Sequence, residues 1–247
     1  MAIAILLLGA FAAAADELAI STAIEKRLQR AKLDRMSAAQ VAVRNGEVTL
    51  TGTAATLHVK RAIGKAARKE AKVVRDELRV VPEVPVSDAE LRGAVRSAIL
   101  RYPRDTVFDY VEFAVEDGGV LLQGSVLHPW KRDEIEGRVA RVAGVREIRN
   151  DVAVQSFSPH DSALRLALAR RIFGDARFVH YAHRAHPPIR ILVDRGRITL
   201  AGAVGSAVEQ AVLGHIARGM LSFGVDNRLV VDADPPKAEQ EGDSKAS

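Results

Sequence analysis

At 247 residues the chain has room for one large domain or for two to three small ones. Hydrophobic residues make up 48% and charged residues 27%, a folding composition rather than a disordered one, while aromatics at 4% call for small aliphatic cores. The absence of cysteine excludes disulfides and thiol chemistry and fits either redox compartment.

Met1 to Ala15 carry no charge and run through Ile3, Ile5 and Leu6-Leu7-Leu8 into Ala12-Ala13-Ala14-Ala15. A spanning helix needs about 20 apolar residues, so this stretch is short for a bilayer. An apolar core that ends in small residues is what signal peptidase reads, and Ala13-x-Ala15 before Asp16 is the predicted cut, with Ala10-x-Ala12 as the other option. No Lys or Arg precedes the apolar core, so an uncleaved anchor or a buried first helix stays open beside that reading. Residues 1–15 are read as a signal peptide, which predicts a periplasmic protein, either free or peripheral to a membrane.

Beyond it the chain repeats itself. Val41 to Gly52, Phe113 to Gly124 and Ile191 to Gly202 share one pattern: apolar residues at alternate positions, a turn, alternate apolar residues again, then glycine. The paired glycines Gly46/Gly52, Gly118/Gly124 and Gly196/Gly202 are always six residues apart. Period-two alternation marks half-buried strands, and Asn45-Gly46 or Asp117-Gly118 between them marks a tight hairpin whose turn demands positive φ. The closing glycine is expected to let the chain bend closely into the next helix. With no GxGxxG or GxxxxGKS/T present, all six glycines read as structural turn residues rather than as a phosphate cradle.

A helical stripe precedes each hairpin: Ile20/Ile24/Leu28, Leu91/Val95/Ile99 and Leu164/Leu168/Ile172. Each stripe begins after an acidic or capping residue, at Asp16, Ser87-Asp88 and Asp161-Ser162. A second stripe follows each hairpin, around Ile63, Ile135 and Leu213, and each repeat closes on a short strand, Leu78-x-Val80, Val152-x-Val154 and Leu229-x-Val231. The predicted fold is α+β, three tandem αββαβ modules over 16–82, 87–155 and 161–232, each a small mixed sheet packed against two helices. The polar residues 234–247 read as a disordered tail.

Asn45-Gly46-Glu47-Val48-Thr49-Leu50-Thr51-Gly52, together with Ala143-Gly144-Val145-x-x-Ile148-x-Asn150-Asp151-Val152, resembles the BON domain, named for bacterial osmotically inducible periplasmic proteins and nodulation proteins. The likeness spans residues 16–232. Module 1 departs at Ala71-Lys72-Val73-Val74-Arg75-Asp76, where the glycine is gone and Asp replaces Asn. Module 3 departs at Phe223-Gly224-Val225-Asp226-Asn227, which is shortened, and in a longer connection from Gly174 to Ile189. The resemblance implies a periplasmic or outer-membrane-associated protein that binds phospholipid surfaces or envelope partners and protects against osmotic stress. It implies no catalytic residues and no cofactor.

The formal charge of +5 is uneven: Lys and Arg outnumber Asp and Glu in residues 16–82 and 156–233, and the reverse holds in 83–155. On the second helix of module 1, Arg61, Lys65, Arg68 and Lys72 form one stripe opposite the core positions Val59, Ile63, Ala66 and Ala67. Such a row could lie on anionic headgroups, and the plainer reading is a solvated helix face kept soluble by charge. Trp130, between His128-Pro129 and Lys131-Arg132, suits a bilayer interface, and the plainer reading is a ring folded over the hairpin or buried between repeats, since tryptophan is usually mostly buried. His180-x-x-His183-x-x-His186 lacks an Asp, Glu or Cys within its run and precedes Pro187-Pro188, so it reads as a solvated loop and not a metal site. Serine elbows, HExxH and paired cysteines are absent, which argues against an enzyme. A pI near 9.7 raises nucleic acid, but RNA-binding sheets stack bases on strand aromatics, and the hairpin segments offer only Phe113. Two hypotheses remain: peripheral binding to an anionic phospholipid surface, and a scaffold for envelope proteins or for copies of itself.

Overall fold

The computed structural model describes residues 2–182, 184 and 186–232, with side chains from residue 15 onward. In the first module α1 (Ala2–Arg30) and a short 3-10 turn (Asp34–Met36) lead into β1 (Ser37–Arg44) and β2 (Glu47–Ala54). These strands pair antiparallel, from Ser37 opposite Ala54 to Arg44 opposite Glu47. Helix α2 (Leu57–Ala67) starts on Thr56, whose hydroxyl accepts the Val59 N–H at 3.3 Å and so satisfies one of the donors that a helix start leaves open. It carries the chain back so that β3 (Val73–Asp76) and β4 (Arg79–Val80) run parallel to β2. An antiparallel hairpin followed by a helical crossover to a parallel strand is what makes the sheet mixed.

The same order recurs twice. The second module holds α3 (Asp88–Leu100), β5 (Tyr110–Glu116), β6 (Gly119–Val126), α4 (Pro129–Val139) and β7 (Glu147–Val154), with sheet order β5-β6-β7. The third holds α5 (Pro159–Phe173), α6 (Val179–Ala182), β8 (Ile189–Asp194), β9 (Arg197–Val204), α7 (Ala207–Arg218), β10 (Gly224–Asn227) and β11 (Val230–Val231). Here β8 pairs β9 antiparallel, and β10 and β11 pair β9 parallel. The fold is thus α+β with three small mixed sheets, each packed with helices.

By compactness the residues divide into two units. Unit 1 comprises residues 1–99, 114–121 and 136–149, and unit 2 comprises 100–113, 122–135 and 150–247. The core of unit 1 includes Ile24 and Leu28 from α1, Val48, Leu50 and Ala54 from β2, Val59, Ile63 and Ala67 from α2, and Leu78. In unit 2 Leu164, Leu168 and Ile172 from α5 meet Ile189, Ile191 and Val193 from β8, Ile198 and Leu200 from β9, and Leu213 from α7. The helical stripes and alternating strands therefore bury the faces that their periods predict.

The turns fall where expected. Asn45-Gly46, Asp117-Gly118 and Arg195-Gly196 all have positive φ, as two-residue hairpins with primed turns require. Each turn is held from the preceding helix, from within α1 in module 1 and from the first turn of α3 and α5 in modules 2 and 3. Glu17 accepts the Asn45 N–H at 2.7 Å; Asp88 accepts those of Asp117 and Gly118 at 2.8 and 3.2 Å; Asp161 accepts those of Arg195 and Gly196 at 3.0 and 2.7 Å.

Four expectations need correction. Gly52 lies inside β2 rather than at a bend into the next helix: with φ +104, a Cβ there would stand 2.0 Å from the Ala38 carbonyl oxygen on β1, so what requires glycine is the close approach of the neighbouring strand. The closing strands begin earlier than Leu78, Val152 and Leu229, because the segment before each already pairs. In modules 1 and 3 the strand breaks at an Asx residue, where Asp76 Oδ1 accepts the Leu78 N–H at 3.1 Å and Asn227 Oδ1 that of Leu229 at 3.4 Å. Asn150 accepts the Val152 N–H at 3.2 Å, so the position needs a side-chain oxygen that Asp supplies as well as Asn. Helix α2 ends at Ala67, not at Lys72. Lastly, the connection from Gly174 to Ile189 is not simply solvated: it forms α6 and buries Phe178 and Tyr181 in the unit 2 core. The predicted signal peptide falls, but for Ala15, on residues whose side chains lie outside those described, and the predicted disordered tail, 234–247, lies outside the described residues altogether.

Candidate functional site

The basic stripe of module 1 is rearranged by the end of α2. Arg68 is the C-cap, its N–H donating to Gly64 O and Ala66 O, and a turn over Lys69 and Glu70 carries Lys72 off the helix. Arg61 is drawn aside, its Nη1 lying 2.7 Å from Glu136 Oε1. Lys65, Arg68, Lys69 and Lys72 are all exposed at the C-terminal end of α2, and among the described residues none of their side chains has a hydrogen-bond or ion-pair partner. Lys69 was off the predicted stripe because that stripe assumed a longer helix. Glu70, the one acid in the turn, is already paired with Arg27 of α1. The C-terminal end of a helix dipole stabilises cations, so the position is electrostatically comfortable before any partner arrives.

The Trp130 segment divides in two. The Trp130 ring is 42% exposed, stacks on His128 with centroids 5.4 Å apart, and has the Arg104 guanidinium 5.4 Å from its centroid. Arg132 remains part-exposed and pairs with Asp133 at 3.1 Å. Lys131 is a correction: it is 3% exposed, and its ammonium lies 2.5 Å from Asp109 Oδ2. Asp109 also accepts the Thr106 hydroxyl at 2.6 Å and the Leu127 N–H at 2.8 Å, so the pair is a fastening of the 106–109 loop and cannot meet a headgroup.

A second buried polar network ties unit 2 together. Arg165, buried on α5, donates to the Val193 carbonyl at 2.7 Å, to that of Ser156 at 3.2 Å and to Gln155 Oε1 at 3.2 Å. Asp161, also buried, accepts the Ser156 hydroxyl at 2.7 Å in addition to the turn N–H groups. Burial pushes the Asp161 carboxyl up, but Ser156, Gly196, Arg195 and the Arg165 charge outweigh it and hold the group below its ordinary value. A polar cleft of about 690 Å³ in unit 2 is walled by Glu112, Asp151, Asp194 and Asp226 against Arg197 and Arg228, of which Arg228 is held by Asp226 at 2.6 Å. Of the histidine run, His180 lies against the Tyr181 ring with centroids 4.0 Å apart, His186 Nδ1 lies 3.7 Å from Asp105, and His183 is outside the described residues.

The arrangement is one of small mixed-sheet modules whose buried polar groups serve the turns, with cations presented outward. Residues 16–82 and 87–156 match the BON domain. The chain belongs to the BON domain family, which is non-catalytic, and carries two matched copies; the third module lies outside the match. No curated protein matches the chain. Among solved structures it is similar to CdsD, a structural protein of the type III secretion system of Chlamydia trachomatis, at 14% identity and TM-score 0.24, covering 85% of this chain and 90% of that one. The C-terminal domain of the same protein matches at 13% identity and TM-score 0.24, covering 85% and 96%. Likeness at that level does not extend to function. Among the described residues no helix is long and apolar enough to cross a membrane.

Proposed function

We propose that this is an exported, non-enzymatic BON-repeat protein that binds anionic phospholipid surfaces peripherally and supports the cell envelope under osmotic stress, its third module being a diverged copy of the other two. The observation that carries the reading is the group of four exposed cations Lys65, Arg68, Lys69 and Lys72 at the end of α2, whose side chains have no partner among the described residues. A near-surface Lys or Arg contributes about 1 kcal/mol of attraction to an anionic leaflet. Four together correspond to about three orders of magnitude in affinity.

Sedimentation with anionic and neutral liposomes tests it. The parent should bind only the anionic vesicles, and changing all four cations to Gln should abolish binding while leaving the fold intact, because Gln is nearly as good a helix former. Added salt should mimic the variant, since exposed charges are screened over about 8 Å at physiological ionic strength. Equal binding by parent and variant would reduce the cluster to a solvated face and put the protein-scaffold reading first. Export is tested separately: protein from its native host should have a mature terminus near Asp16, and a full-length cytoplasmic product contradicts it.

A further inference from the structure

In unit 2 three large apolar side chains stand in open solvent around the β8–β9 turn: Phe157 is 85% exposed, Leu221 88% and Phe223 79%. They belong to two segments that the turn holds together. On one side Ser156, adjacent to Phe157, donates its N–H to Asp194 at 2.6 Å, and its hydroxyl accepts the Arg195 N–H at 3.1 Å. On the other, Phe223 donates its N–H to the Gly196 carbonyl at 2.8 Å, and its ring lies so close over Gly196 that a Cβ there would be 2.7 Å from Cδ2. His160, at the start of α5, stacks on the same ring with centroids 6.5 Å apart.

Module 2 shows what is special here. Arg146 makes the equivalent bond, donating its N–H to Gly118 O at 2.8 Å, so module 3 puts phenylalanine where module 2 puts a cation. Conversely the first turn residue, Asn45 in module 1 and Asp117 in module 2, is Arg195 in module 3, at φ 49. Asn and Asp tolerate the left-handed region far better than arginine does, so local backbone preference does not account for Arg195. Its side chain is 86% exposed. Arg197 lies beside the cluster, its guanidinium 3.3 Å from where a Cβ of Gly224 would stand. Two arginines and His160 thus lie at this turn with two acids, both already engaged: Asp194 accepts from Ser156 and lies 4.0 Å from Arg195, and the buried Asp161 faces inward onto the turn N–H groups and the Ser156 hydroxyl.

We propose that Phe157, Leu221 and Phe223, flanked by Arg195 and Arg197, form a tip that inserts into the headgroup region of an anionic phospholipid bilayer. Side chains this exposed project outward rather than line a groove. Together they offer roughly 500 Å². A specific protein interface needs about 800 Å² from each partner. Aromatic rings beside arginines match the interfacial layer of a bilayer, where apolar bodies bury and cations stay with phosphate. The inference rests on the reading that the protein meets a phospholipid surface, and it adds an apolar contact in module 3 to the salt-sensitive one of module 1.

The test uses the full chain with vesicles of phosphatidylcholine plus phosphatidylglycerol. Because the chain lacks cysteine, Leu221→Cys carries the sole thiol and can hold a polarity-sensitive fluorophore. Its emission should shift to the blue on vesicles and stay unshifted with the soluble headgroup analogue glycerol phosphate. F157S/L221S/F223S, with its fold checked by circular dichroism, should bind about tenfold or more weakly, a loss that persists at high salt. If the parent binds no vesicle, the phospholipid reading itself fails. If the parent binds but the triple variant binds equally and the dye does not shift, only the tip is overturned. If the triple variant instead loses self-association or a protein partner while vesicle binding is unchanged, the occupant is a protein and the proposal is wrong.

Discussion

Asp161 holds the Arg195–Gly196 turn with both carboxylate oxygens, Oδ1 accepting the Gly196 N–H at 2.7 Å and Oδ2 the Arg195 N–H at 3.0 Å. The first helix of the module thereby fixes the tip of its hairpin, and Asp88 repeats the device at Asp117 and Gly118. Replacing Asp161 by Ala leaves the buried Gly196 N–H without its acceptor and removes one of the two carboxylates, with Asp194, that favour the buried Arg165 charge, so unit 2 should lose about 3 kcal/mol. Asp88 is less buried, and Asp88→Ala should cost about 1 kcal/mol. Hydrogen exchange at residues 195 and 196 should rise sharply in the Asp161 variant; unchanged protection there would show the clamp to be incidental.

The same carboxylate gives a pH dependence of definite sign. Its folded value lies below the ordinary one, so its contribution is complete above the unfolded pKa of about 3.9 and is lost as pH falls through the folded value. Thermal unfolding of the parent should therefore soften in acid, and Asp161→Asn should remove part of that slope. A parent-minus-variant difference that stays constant from about pH 6 to pH 3 contradicts it.

Much of this was legible because hairpins and amphipathic helices write their own periods. Val48, Leu50, Ile63 and Leu213 are core because alternation and the i, i+4 stripe put them there. The end of α2 was not legible, since Arg68 to Lys72 are all acceptable in a helix and only the parallel return to β2 stops it. Nor could composition show that Phe178 and Tyr181 enter the core from a stretch rich in His and Pro. The exposed trio Phe157, Leu221 and Phe223 did leave a trace: Phe223 stood in the shortened approach to the last strand, read only as a departure from the repeat.

The strand glycines separate steric need from turn strain. An alanine Cβ at Gly52 would stand 2.0 Å from Ala38 O, and one at Gly202 would stand 1.8 Å from Pro188 O, so Gly52→Ala and Gly202→Ala must push strands apart. Each should cost about 3 kcal/mol. Gly46 has nothing within 4 Å of an added Cβ, leaving only left-handed strain of about 1 kcal/mol. Urea midpoints should rank the variants in that order. Equal midpoints for Gly46→Ala and Gly52→Ala would show that close approach is not what selects the second glycine.

Lys131 and Asp109 form a buried pair at 2.5 Å, and the two residues are not equivalent. Asp109 also accepts from the Thr106 hydroxyl and N–H and from the Leu127 N–H, whereas the Lys131 ammonium donates to Asp109. Removing either partner strands a buried charge, at a cost of about 3–5 kcal/mol. Asp109→Ala should be the worse of the two, because it also orphans the loop donors. Lys131→Met retains the volume of the side chain and leaves Asp109 its Thr106 and Leu127 donors, so it should be the milder change. Measured below its unfolding transition, Lys131→Met should bind anionic vesicles as the parent does, because a buried ammonium engaged with Asp109 is not available to phosphate. A loss of vesicle affinity in folded Lys131→Met would mean that the pair opens at the membrane and that Lys131 belongs with the binding cations after all.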